Sequence, residues 1–232
     1  MTLVIGAMHG EVASITAWMH QDLREEWNGF PIARGTVSGS PVIVSRTGVG
    51  KTLSAMLCQH LIDRYAPGRI IFTGIAGALH DGLSVGDTVV ARDTLQHDVD
   101  LTAMGLARGI LPGAPCRVYR CDPGLVARAA AVSPVHGRGS IGRVLTGDQF
   151  VADAARRATL AGAFGGDAVD MEGASVGLVA AVNRLPFLLI RTISDRCDGS
   201  AIDFREVLRL AADNSWRYLE CMLEGIDERT RV

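Results

Sequence analysis

Residues 47–52 read TGVGKT, and this stretch separates an ATP-binding protein from something quite different. A phosphate-binding P-loop has the form G-x-x-x-x-G-K-[ST], in which a first glycine makes the turn and backbone amides cradle phosphates between a strand and a helix. Gly50, Lys51 and Thr52 supply the second half, but Ser45 stands where the first glycine belongs. The strand–turn–helix context is right, yet the loop is too short, and no second acidic strand end is placed to hold magnesium. The stretch therefore reads as a glycine turn that opens a helix, not as a triphosphate site.

Outward from this turn, strand-like and helix-like segments alternate. Residues 3–6 form an apolar strand, and residues 11–20 the helix after it. The runs 32–37 and 42–45 flank SGS and suggest a hairpin. Residues 52–65 carry Leu53, Met56, Leu57, Leu61 and Ile62 at helical spacing. RIIFTGIAGAL and VGDTVVA are buried strands, and residues 98–122, with their glycines and prolines, are expected to be irregular. GRVLTGD is a strand, DAARRATLA a helix, and DAVDMEGASVGLVAAVNR a short strand leading into a helix. PFLLIRTISD is the most strand-like segment, and residues 204–225 form an amphipathic helix. No linker, repeat or low-complexity tract interrupts residues 1–232, so a single α/β domain is expected: three layers, with a central mixed, largely parallel sheet flanked by helices.

Composition narrows the function. A net charge of -2 exerts no global pull toward nucleic acid or an anionic membrane. No apolar stretch reaches the roughly 18–20 residues that cross a bilayer, and the N-terminus lacks the basic region of a signal peptide. The five cysteines share no metal-ligand spacing and read as free thiols in a reducing compartment. A cytoplasmic enzyme without metal or cofactor is expected; His97 beside Asp98 is too few ligands for a metal site. In such sheets ligands sit at the carboxyl ends of strands. Glu11, Asp148, Glu172 and Asp195 all fall there, and this convergence is the main sign of an active site.

Eight motifs then occur in order: IGAMHGEV at the start, TGVGK at 47–51, TGIAGAL at 73–79, VGDTVV at 85–90, HDVDLTAMG at 97–105, TGDQFV at 146–151, VDMEGAS at 169–175 and RTISD at 191–195. Together they resemble the 5′-methylthioadenosine/S-adenosylhomocysteine nucleosidases of the purine nucleoside phosphorylase superfamily, across roughly the whole chain. In that family TGVGK is a turn beside the nucleoside pocket.

The resemblance implies hydrolysis of an N-ribosidic bond, which needs an acid at adenine N7, carboxylates for an oxocarbenium-like sugar and a base for the attacking water. It assigns Asp195 as the acid, Glu172 as the group gripping the ribose hydroxyls, Glu11 as the water-activating base and Arg191 as an arginine near that water. Met171 packs on the sugar. Phe150 and Val151 hold adenine, with Ser194 beside the acid. Met8, Val49 and Phe204 form the apolar 5′ pocket. Leu101 and Met104 match residues supplied by a neighbouring subunit, so a homodimer is implied.

Two departures stand out. Ile75 and Ala78 replace a serine and a glycine of the family's glycine motif, and MHGE puts His9 before Glu11 where glutamates are common. A phosphorylase of the same superfamily needs forked arginine contacts to hold phosphate, and its glycine-aspartate-proline motif and arginine are absent, Phe72 lying near the latter's place. Alternatives from elsewhere in the superfamily are a sister nucleosidase such as a futalosine hydrolase, kept open by Ile75, and a non-catalytic storage protein, disfavoured by the retention of all three acids.

Overall fold

The computed structural model describes residues 1–200 and 203–224. Its elements follow as β1 (Thr2–Gly6), α1 (His9–Trp18), β2 (His20–Trp27), β3 (Phe30–Val37), β4 (Ser40–Arg46), α2 (Lys51–Tyr65), β5 (Arg69–Ala78), β6 (Thr88–Gln96), β7 (Tyr119–Arg120), α3 (Pro123–Ala130), β8 (Gly139–Thr146), α4 (Ala154–Phe164), β9 (Ala168–Asp170), α5 (Gly173–Asn183), β10 (Phe187–Asp195) and α6 (Phe204–Leu223). β1 is buried at every position, between parallel neighbours β4 and β5. A strand covered on both faces can be apolar throughout, which is why TLVIG, PVIVS and RIIF show no alternation.

β5 is the hinge of the sheet. It pairs in parallel with β1 near its start and with β10 along most of its length, and antiparallel with β9 at its end. β10 in turn joins β6, β6 joins β8, and β8 joins β9. Five strands (β5, β10, β6, β8, β9) thus close on themselves, while β1, β4, β3 and β2 extend as an open wing. α1 packs on α6 and α2 on α5, in separate layers over the strands. One apolar cluster runs from Leu3 and Ile5 through Phe72 and Leu189 to Leu223.

The glycine turn obeys this geometry. The N–H groups of Thr47 and Gly48 donate to the carbonyls of Gly6 and Ala7 at 2.8 and 3.0 Å, prolonging the β1–β4 pairing. Gly50 then turns at φ 98°, a conformation that strains any other residue, and α2 begins at Lys51.

Three features depart from the sequence reading. The first helix spans His9–Trp18, and residues 20–27 (HQDLREEW) form an edge strand that the sequence pattern does not show, paired among the described residues with β3 alone. Charges protect such an edge from further pairing, and the same charges hide the strand's alternation. α3 lies in a stretch, 123–138, to which the sequence pattern assigns no element; Asp122 caps it, accepting from the Leu125 N–H at 2.9 Å, with Pro123 at the first helical position, and β7 falls at the end of the segment expected to be irregular. The last helix is described to Leu223, and residue 225 lies outside the described residues.

Candidate active site

The carboxyl ends of β1, β5, β9 and β10 open into one cavity of about 230 Å³. Glu11 enters from the first turn of α1, Glu172 from the N-terminal cap of α5 and Asp195 from the end of β10, and all three line the cavity. Met8, Val49, Ile75 and Met171 join them in its wall, as do Phe150, Val151, Ser194 and Phe204. Val49, Phe150 and Phe204 remain 48%, 62% and 44% exposed, so this apolar rim is still open to solvent. Asp148 does not take part: its carboxylate is turned to the start of α2, where it accepts from the Lys51 N–H at 2.8 Å.

Glu11 is 3% exposed. Its Oε2 accepts from the N–H of Met8 at 2.7 Å and its Oε1 from the N–H of Ile75 at 3.0 Å. Burial raises its pKa; the Arg191 guanidinium and the two amides pull the other way without cancelling the rise. Gly74 makes room for this arrangement, since a Cβ there would stand 2.5 Å from Glu11 Oε1 and 3.0 Å from an Arg191 Nη atom.

Glu172 Oε1 accepts from the Gly50 N–H at 2.8 Å. The amide that would have touched phosphate in a P-loop is therefore held by a carboxylate. Burial first, and then the negative charge of Asp170, push Glu172 up to about 8. Asp195 is anchored on both oxygens: Ser194 Oγ donates to Oδ2 at 2.6 Å and the Cys197 N–H to Oδ1 at 2.9 Å.

Arg191 is placed differently from a surface charge. It is 1% exposed, donates through Nε to Asp170 Oδ2 at 2.8 Å and lies 4.2 Å over the Phe72 ring. It is not part of the cavity wall; it sits behind the acids, with one Nη 3.9 Å from Glu172 Oε2. Leu101 and Met104 likewise do not line this chain's cavity, and Met104, in a short 3-10 turn (Thr102–Met104), is 72% exposed.

Sequence reasoning missed Asp170 and Cys197, which also line the cavity. Asp170 is present in the VDMEG motif, but only the fold shows that it accepts from Thr146, Gly173 and Arg191 at once. Cys197 carries no signal in the sequence. Burial and the adjacent Asp195 push its thiol up to about 12, so it stays protonated and serves as wall.

The cavity is thus apolar with an acidic floor, and among the described residues no lysine or arginine lines it. The phosphorylase superfamily family model matches residues 2–224, and the chain belongs to that superfamily. It is 35% identical to a 5′-methylthioadenosine/S-adenosylhomocysteine nucleosidase of Geobacillus thermodenitrificans over 98% of each chain. Among solved structures, the S. pneumoniae nucleosidase of that name, with a transition-state inhibitor, superposes at a TM-score of 0.89 with 32% identity, covering 98% of this chain and 100% of that one. The futalosine hydrolase of Helicobacter pylori superposes at 0.88 with 29% identity, covering 96% and 97%.

Proposed function

We propose that this protein hydrolyses the N-ribosidic bond of 5′-methylthioadenosine and S-adenosylhomocysteine, releasing adenine and the 5′-thioribose product. The observation that carries the proposal is the acidic floor: Glu11, Glu172 and Asp195, with Asp170 beside them, converge on one apolar cavity, and among the described residues no lysine or arginine lies in its wall to hold a phosphate dianion. Water, not phosphate, is the nucleophile that such a floor can activate.

Asp195, held on both oxygens, protonates adenine N7 as the bond breaks. Glu172 faces the ribose, binding its hydroxyls and balancing the cationic sugar. Its raised pKa keeps it protonated near neutrality before substrate binds, and the positive sugar favours its ionised form. Glu11 takes the proton of the attacking water, and burial makes it a stronger base than an exposed glutamate. Arg191 orients the acids from behind, through Asp170. Phe150 and Val151 hold the base, and Met8, Val49 and Phe204 hold the 5′ thioether. Leu101 and Met104 close the corresponding pocket of a second copy in a homodimer, which accounts for an arm exposed on one chain and a rim left open on the same chain.

Purified protein mixed with methylthioadenosine should release free adenine without added phosphate or metal. Release only with phosphate, with ribose 1-phosphate accumulating, would refute hydrolysis. A second reading, hydrolysis of futalosine, is favoured by the likeness to the H. pylori enzyme and by Ile75 in the cavity wall. Side-by-side assays with futalosine and methylthioadenosine separate the two.

A further inference from the structure

Lys51, the lysine of the glycine turn, has no part in the cavity wall, yet it is the only lysine among the 23 basic residues, Lys plus Arg, of the chain. Its side chain is 18% exposed. Nζ donates to Asp98 Oδ1 at 2.7 Å and to Gln96 Oε1 at 3.1 Å, at the end of β6. Two further bonds close a ring. Asp98 Oδ2 accepts from the Asp148 N–H at 2.9 Å, and Asp148 Oδ1 accepts from the Lys51 N–H at 2.8 Å.

Each member of the ring is joined to a piece of the site. Lys51 follows Val49 and Gly50, the latter holding Glu172 through its N–H. Asp148 precedes Phe150 and Val151. Asp98 begins the segment that carries Leu101 and Met104. An exposed ion pair contributes little, but this one is mostly withdrawn from solvent and closed through two backbone amides. Burial works to raise the Asp98 pKa, and Lys51 with the Asp148 amide outweighs it, holding the carboxyl below its usual range. Two acceptors converging on one atom suit a compact ammonium with three rotatable donors, not the wider planar fork of arginine.

We propose that Lys51 is a positioning residue: through the Lys51–Asp98–Asp148 ring it holds the 49–50 turn against Glu172, fixes the base-side segment 149–151 and sets the root of the 98–112 arm. A subunit's own pocket and the arm it offers its neighbour then share one anchor. The inference rests on the nucleosidase reading for its catalytic consequence, but not for its structural one.

The test uses the full-length protein with Lys51→Met, Asp98→Asn and the double variant. Loss of the ring should lower kcat/KM for methylthioadenosine by roughly tenfold to a hundredfold, the scale of an ångström-level misplacement. The double variant should be no worse than the poorer single one. The acid limb of the pH profile should move upward, because the Gly50 N–H that lowers the Glu172 pKa is no longer held in place; Asp170 on β9, Arg191 on β10 and Glu11 on α1, which also face Glu172, are untouched. Hydrogen–deuterium exchange should quicken at residues 49–51, 98–104 and 147–151 and not in the rest of the sheet. Wild-type protein without nucleosidase activity would refute the nucleosidase reading, and the exchange pattern would still decide the ring. If the wild type is active, the proposal is overturned by variants that keep its rate, pH profile and protection, or by variants whose protection falls uniformly across the fold.

Discussion

Glu172→Gln should lower activity and raise stability, and the second effect should depend on pH. Burial and Asp170 push Glu172 from 4.5 to about 8 in the folded chain. The folded state therefore keeps a proton that the unfolded chain releases between those values. Stability from this group is fully present below its unfolded pKa and is lost as the pH rises through about 8, by ~1.4 kcal/mol for each pH unit that separates the two values. Over the whole separation this is at most ~5 kcal/mol, and the responses of Asp170, Glu11 and Arg191 reduce it. Glutamine keeps the shape, can still accept the Gly50 N–H, and does not ionise. For a chain of this length ~1 kcal/mol corresponds to about 2–4 °C in Tm. The variant should therefore melt several degrees above the wild type near pH 9 and close to it near pH 5. Thermal melts of ligand-free protein across that range measure the difference, and adenine release in the same buffers should show kcat falling by about a hundredfold or more. A Tm difference independent of pH, or a variant less stable in alkali, would refute the view that the fold closes over a carboxyl kept protonated by burial.

Asp195→Asn removes a proton donor but keeps most of the shape, so kcat should fall by about a hundredfold to ten-thousandfold with a much smaller change in KM; unchanged turnover would remove Asp195 from the chemistry. Gly74→Ala places a methyl 2.5 Å from Glu11 Oε1, at a φ of 159° that glycine tolerates best, so activity should drop by up to about a hundredfold while the circular dichroism spectrum is preserved; wild-type rates would show that Glu11 does not need its observed position. Met104→Glu should raise KM for methylthioadenosine about tenfold, since covering a methylthio group contributes about 1–2 kcal/mol, and should barely affect adenosine; equal losses for both substrates would place Met104 in local packing.

The type of fold, and the strand-end acids that the cavity gathers, were legible in the chain alone. Long buried strands such as RIIFTGIAGA and FLLIRTISD carry apolar runs that nothing but a covered sheet accommodates, and the acids at their ends fall where sheets of this kind place ligands. Glu11, Glu172 and Asp195 were legible because strand-end position is a local property. Edge strand β2 was not, because its residues answer to solvent and to the need to block further pairing more than to the core. α3 was hidden because the aspartate–proline–glycine that caps it also makes turns.

How charged groups are shared emerges only when distant segments pack together. That Asp148 serves the start of α2 and not the cavity, that Arg191 stands behind the acids on Asp170, and that Lys51 closes a ring with Asp98 depend on contacts between segments far apart in the chain, which no local pattern encodes. The same is true of protonation. Glu11 and Glu172 are ordinary glutamates in sequence, and it is the removal of water by the closed strands, together with the placement of Asp170 and Arg191, that shifts them.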